Sequence, residues 1–260
     1  MTPIEEPVVG SHGKRVVKVG DTIRRPRKPS SETVQALLGH LHDHGFDGCP
    51  RPLGFDDQGR EVLSFVEGRG GSVPLPPEAI TDRALVEHAR LIRQFHDASA
   101  SFFTSSDTWE PLLADTAEVP EIICHNDLSI PNTVYQHGLP HGLVDWDFAA
   151  PGRRLWDLAY AIWWIVPLHR PEFMRSIGWP EVDQPRRLAV FVNTYGLEEE
   201  RGRLLDVLRE RQRRNQVQLQ HWAERRTIPA FDADDPKVEC GRTEYVESIR
   251  PLLEAALDLG

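Results

Sequence analysis

The spacing of apolar positions changes near residue 70. Before it, β-branched runs alternate with glycine-containing turns. Pro7-Val8-Val9, residues 15–19 and Thr22-Ile23-Arg24-Arg25 are separated by Gly10-Ser11-His12-Gly13 and Gly20-Asp21. This pattern predicts short strands joined by hairpins. Pro26 and Pro29 end the last run. Ser30 or Ser31 then caps a predicted helix in which Val34, Leu37, Leu38 and Leu41 recur at helical spacing before Gly45. Leu53-Gly54-Phe55 and residues 60–66, divided by Asp56-Asp57-Gln58-Gly59, predict two more strands.

Residues 67–77 carry Gly68, Gly70, Gly71, Pro74, Pro76 and Pro77, a composition that predicts a linker. Beyond it the period is helical. Leu85, Ala89, Ile92, Phe95 and His96 mark a helix within 78–99, and 155–168, 187–195, 198–225 and 237–257 read as further helices. Short apolar runs at 121–124, 133–136 and 143–144 predict three strands, with a reversal at His137-Gly138. The expected architecture is α+β and two-lobed. Residues 1–66 form a small antiparallel β lobe with one helix, 67–77 a hinge, and 78–260 a larger α-rich lobe.

Composition narrows the class. A chain of 260 residues, 40% hydrophobic and 27% charged, can bury a sizeable core. No run of about 18 apolar residues is present, so no membrane partner is expected. The first residues lack a basic-then-apolar export pattern, which fits a cytoplasmic location. Cys49, Cys124 and Cys240 are far apart, outside zinc-ligand spacing, and read as three reduced thiols. The net charge of −10 argues against nucleic acid as a partner. Residues 14–28 are locally basic, with Lys14, Arg15, Lys18, Arg24, Arg25, Arg27 and Lys28 against Asp21. Such a patch fits a small polyanion such as a nucleoside triphosphate, or a solvated strand pair. His40 and His44 share a helix face, but no third metal ligand accompanies them and they read as solvated.

The densest candidate chemistry is His125-Asn126-Asp127, then Asn132, then Asp145-Trp146-Asp147. If the strands on either side of His137-Gly138 pair, Asp145 returns beside Asn132, with Asp127 on the loop leading in. Mg²⁺ takes one or two carboxylates plus substrate phosphates, a role that suits Asn132 and Asp145. Asp127, off the metal, could accept a hydroxyl proton or orient a nucleophile. Each residue alone could be a turn-former; the joint spacing is far more specific.

At these positions the chain resembles the aminoglycoside phosphotransferase family, which shares the protein-kinase-like fold. The matching motifs are His125-Asn126-Asp127 to Asn132, Val144-Asp145-Trp146-Asp147, and Arg154-Leu155-Trp156-Asp157-Leu158-Ala159, preceded by Gln94-Phe95-His96-Asp97. The resemblance implies a kinase of small molecules using ATP and Mg²⁺. It assigns Asp127 as the catalytic base and Asn132 and Asp145 as metal ligands. It makes His125 and Asp157 structural, and places Asp147 near substrate or a second metal. Gly10, Ser11 and Gly13 would cover the phosphates, and Ser64, Phe65 and Val66 would form the hinge against adenine. The family's phosphate-binding lysine is replaced here: Arg24 is the first candidate and Arg25 the second. The acid that pairs with it would come from the helix, with Glu32 or Gln35 at that position.

The acceptor is expected to be a small molecule held by the α-rich lobe. Its many acids would favour a cation such as an aminoglycoside, making the protein an antibiotic-resistance enzyme. Trp156, Trp163 and Trp164 could box a choline-like cation, or be helix core. The alternatives are a kinase for choline, ethanolamine or a sugar, and a non-catalytic binding or immunity protein on the same fold. The arginines in place of lysine motivate that last reading.

Overall fold

A computed structural model describes residues 5–8, 16–71, 75–102, 108–110, 113–116, 119–224 and 243–258, with backbone alone at 219–224. Strands β1 (Glu6–Pro7), β2 (Val17–Val19), β3 (Thr22–Arg25), β4 (Pro52–Phe55) and β5 (Glu61–Ser64) form one antiparallel sheet in the order β1-β2-β3-β5-β4. Helix α1 (Ser31–Asp43) connects β3 to β4 and buries Val34, Leu37, Leu38 and Leu41, the stripe that its spacing predicts. The register sets Arg25 opposite Glu61, and Arg24 opposite Val62. Neighbours along a strand face opposite ways, so Arg24 and Arg25 lead to different surfaces.

The stretch predicted as a linker contains one more strand. β6 (Arg69–Gly70) pairs with β8 (Thr133–Gln136), which pairs with β9 (Leu139–Leu143). His137 and Gly138, with φ of 52° and 79°, make the two-residue turn between β8 and β9. Beside them β7 (Ile122–Cys124) pairs with β10 (Ala150–Gly152). The chain thus enters the second half already hydrogen-bonded to it.

Helices dominate that half: α2 (Asp82–Ser99), α3 (Arg154–Ile165), α4 (Pro171–Ser176), α5 (Gln184–Tyr195), α6 (Leu204–Glu224) and α7 (Glu244–Asp258). Thr81 caps α2 by accepting from the Ala84 N–H at 3.1 Å. The predicted helix from 198 begins only at Leu204, after a short 3-10 turn over Arg201–Arg203. α3 is buried on nearly every side and lies against α6. Trp156 and Trp163 on α3 are 0% exposed, so they are core and form no aromatic box open to a choline-like acceptor. No helix among the described residues is long and apolar enough to cross a membrane.

Candidate active site

The loop after β7 is fixed from several directions. Asp157, buried on α3, accepts from the backbone N–H groups of His125 and Asn126, both at 2.8 Å, and from His96 at 3.2 Å. Burial pushes its carboxyl up, but His96 and the His125 N–H outweigh it, and its pKa is lowered. His125 donates from Nε2 to the Val144 carbonyl at 3.1 Å, while Nδ1 accepts the Asp127 N–H at 3.3 Å. Both ring nitrogens are used by a neutral imidazole, in line with the lowering of its pKa by burial. Asn126 has φ of 63°, unusual for a residue with a side chain. Its carbonyl accepts from Arg211 Nη2 at 2.7 Å and its amide donates to the Phe148 carbonyl at 2.9 Å.

This bracing presents Asp127. Asn132 Nδ2 donates to Asp127 Oδ2 at 2.7 Å and to its carbonyl at 2.9 Å. Burial, then the nearby Asp145 charge, push the Asp127 carboxyl up to about 7; hydrogen bonds from Tyr160 and Asn132 and the Arg211 charge act the other way. The Val144 N–H donates to the Asn132 carbonyl at 2.9 Å, continuing the β8–β9 ladder and placing Asp145 beside Asn132. Asp145 sits in the left-handed region with φ of 63° and is partly exposed.

Two cations reach across, Arg25 from β3 and Lys28 from the loop that follows it. Arg25 is held by Glu61 at 2.5 Å and Asp147 at 2.9 Å, and Nη1 lies 3.7 Å from Asp145. Burial opposes its charge; Asp147 and Glu61 outweigh burial and raise its pKa. Lys28 Nζ bonds the other Asp147 oxygen. Arg24, the first choice for the phosphate-binding cation, instead pairs with Asp56 at 3.2 Å on the opposite face of β3. Arg25 is the residue that faces the carboxylates.

The helix acid is also corrected. Glu32 pairs with Arg27 at the surface, and Gln35 donates to Glu61 Oε1 at 3.3 Å. Arg25's partner is therefore Glu61, from the adjacent strand. Asp147 is 4% exposed and bound by Arg25 and Lys28, so it anchors those cations and is not open to an acceptor. Ser64 and Phe65 donate their N–H groups to Arg51 O at 2.9 Å and Asp21 O at 2.8 Å, and Val66 follows them at the strand end. Gly10, Ser11 and Gly13 lie outside the described residues. His40 and His44 stack at 3.8 Å, and no cluster of three metal-ligating side chains occurs among the described residues.

Sequence reasoning named Lys28 only as part of the basic stretch at 14–28, and it missed Glu61, Tyr160 and Arg211. Arg211 alone had a signal: it continues the Leu204, Leu208 stripe of α6 at helical spacing, an arginine where an apolar residue belongs.

Residues 106–205 match the sequence model of APH, the phosphotransferase enzyme family. The trifolitoxin immunity protein of Rhizobium leguminosarum bv. trifolii is 32% identical over 207 residues, 77% of this chain and 78% of that protein. The chain belongs to the APH phosphotransferase family. Solved structures agree on the fold. A choline/ethanolamine kinase family protein from Mesorhizobium loti superposes with a TM-score of 0.63 at 17% identity, covering 100% of this chain and 94% of that one. The aminoglycoside phosphotransferase APH(3'')-Id from Streptomyces rimosus, solved with ADP and streptomycin, gives 0.53 at 16% identity over 78% of this chain and 90% of that one. This family member thus has the bilobal protein-kinase-like α+β fold.

Proposed function

We propose that this protein transfers the γ-phosphate of ATP to a hydroxyl of a small molecule, with Asp127 accepting the hydroxyl proton. The observation that carries the reading is the Asp127–Asn132 pair beside Asp145, on a loop braced by Asp157 and Arg211. Asn132 spends its amide N–H groups on Asp127, which leaves Oδ1 for a cation. Around it, the four carboxylates of Glu61, Asp127, Asp145 and Asp147 meet Arg25, Lys28 and the Arg211 charge, a negative balance that suits a divalent ion. Asn132 and Asp145 would hold Mg²⁺, which when bound would supply positive charge to neutralise the phosphates.

The chain's own residues do the rest. Asp127 orients the acceptor oxygen and takes its proton. Arg25, its fork set by Glu61 and Asp147, offers a fixed cation to phosphate oxygens. Adenine is placed against Val66, because the N–H groups of Ser64 and Phe65 are already bonded. The test is transfer of labelled γ-phosphate from ATP·Mg²⁺ to a panel of aminoglycosides, choline, ethanolamine and sugars. Asp127→Asn should lower the rate by about 10²- to 10⁴-fold; equal rates in the two proteins would overturn the assignment.

A second reading is favoured by the immunity protein at 32% identity. Here the chain protects a cell from a toxin, either by phosphorylating it or by binding it. Protection that survives Asp127→Asn would select binding; protection lost with the carboxylate would select phosphorylation.

A further inference from the structure

We propose that Arg211 is a positioning residue for Asp127: from α6 it fixes the peptide plane that presents the carboxylate to the acceptor. The proposal rests on the phosphoryl-transfer reading above. The peptide joining Asn126 to Asp127 has two polar groups. Its N–H belongs to Asp127 and is taken by His125 Nδ1 at 3.3 Å. Its carbonyl belongs to Asn126 and is taken by Arg211 Nη2 at 2.7 Å. With the Asn126 N–H on Asp157, every backbone group that sets this plane has a partner, and Arg211 is the only one outside the loop-to-α3 framework. The plane needs holding, because Asn126 sits at φ 63°.

The burial of Arg211 argues for more than packing. It is 0% exposed, and Nε and Nη1 have no hydrogen-bond partner among the described residues. A purely structural position on an apolar stripe is better served by a side chain without unpaired buried N–H groups. Its guanidinium lies over the rings of Tyr160 at 4.5 Å and Trp156 at 5.3 Å, where a cation is attracted to the ring face. Tyr160 in turn bonds the Asp127 carboxylate. One buried cation therefore touches the loop carbonyl and the ring that reaches the carboxylate. α3 and α6, which pack together, hold the base in place through it.

The experiment compares wild type, Arg211→Met and Arg211→Lys in two measurements. In phosphotransfer, the Met variant should lose about 10- to 100-fold in kcat with KM for ATP within about twofold of wild type. The Lys variant should recover part of the loss, because its ammonium still reaches a carbonyl. Adding Arg211→Met to Asp127→Asn should cost nothing further. Independently of turnover, amide hydrogen exchange at residues 125–128 should quicken in Arg211→Met while α6 keeps its protection. Wild-type exchange in that loop, an unchanged kcat, or losses that multiply in the double variant would each overturn the proposal. If the wild-type protein transfers no phosphate, the functional reading fails, and the exchange measurement still decides whether Arg211 holds the loop.

Discussion

Arg24 and Arg25 show how one residue of strand register separates surface from site. They are chemically alike and adjacent, yet Arg24 ends on Asp56 and Arg25 on Glu61 and Asp147. Arg25→Lys should weaken ATP·Mg²⁺ binding by about 10- to 150-fold by calorimetry, because a point charge replaces a fork and one charge-assisted bond is worth roughly 1.5–3 kcal/mol. Arg24→Lys should bind as wild type; weakening by both equally would return the site to ambiguity and refute the assignment of Arg25. Asp127 gives a second prediction. Its carboxyl is pushed up to about 7, and proton acceptance requires the ionised form. The rate should therefore climb with pH as the carboxyl ionises and then level, at a lower pH once Mg²⁺ offsets the Asp145 charge, and a rate that falls as pH rises from 5 to 8 would rule out Asp127 as the base. The juxtaposition of Asp127, Asn132 and Asp145 was legible because their spacing along the chain is short. The choice of Arg25 over Arg24, the contact of Lys28 with Asp147 and the pairing with Glu61 were not, because they come from a register and a cross-sheet approach that sequence spacing does not encode.

At the scale of elements, the sequence marked β2 to β5 by β-branched runs between glycine-containing turns, and α1 and α2 by the helical stripe that they bury. It missed β6, which is two residues long and exists only by pairing with β8, a partner more than sixty positions away. Gly and Pro signalled a linker there, and one of those glycines has a steric reason. The Gly71 N–H donates to the Thr133 carbonyl at 2.9 Å, and a Cβ on Gly71 would come within 1.9 Å of the Ile130 carbonyl oxygen. That carbonyl is in the turn carrying Asn132. Gly71→Ala must push the turn or the strand aside. It should destabilise by about 1–3 kcal/mol, the range of overpacking, and lower activity more than its change in Tm explains. Gly70→Ala, where a Cβ meets nothing within 4 Å, is the matched control. Equal effects from the two would show that the close approach does not matter.

Over the whole molecule, buried titratable groups should set the acid limit of the fold. His88 and His169 are buried and kept neutral, each lowered to about 3, His88 by burial and then the Arg187 charge, His169 by burial. An unfolded histidine titrates near 6.5, so between roughly pH 6.5 and 3 the unfolded chain holds one more proton per such residue. Stability is then fully present above about pH 6.5 and falls as pH drops, by about 1.4 kcal/mol per pH unit for each histidine. His96 and His125, also lowered by burial, act in the same direction. Asp127 acts in the opposite one: with its pKa raised to about 7, the folded state binds the extra proton between there and its ordinary value. That offsets about one histidine, and the balance still favours unfolding in acid. Urea unfolding at pH 8 and pH 5 should show a drop in stability at the lower pH. His88→Gln, which retains a partner for the Tyr135 hydroxyl now at 2.8 Å from the ring, should make that drop smaller whatever it does to stability at pH 8. The difference between the two pH values is the quantity to read, because repacking cancels from it and proton uptake does not. A drop as large in His88→Gln as in wild type would mean that the neutral buried ring is not what acid attacks.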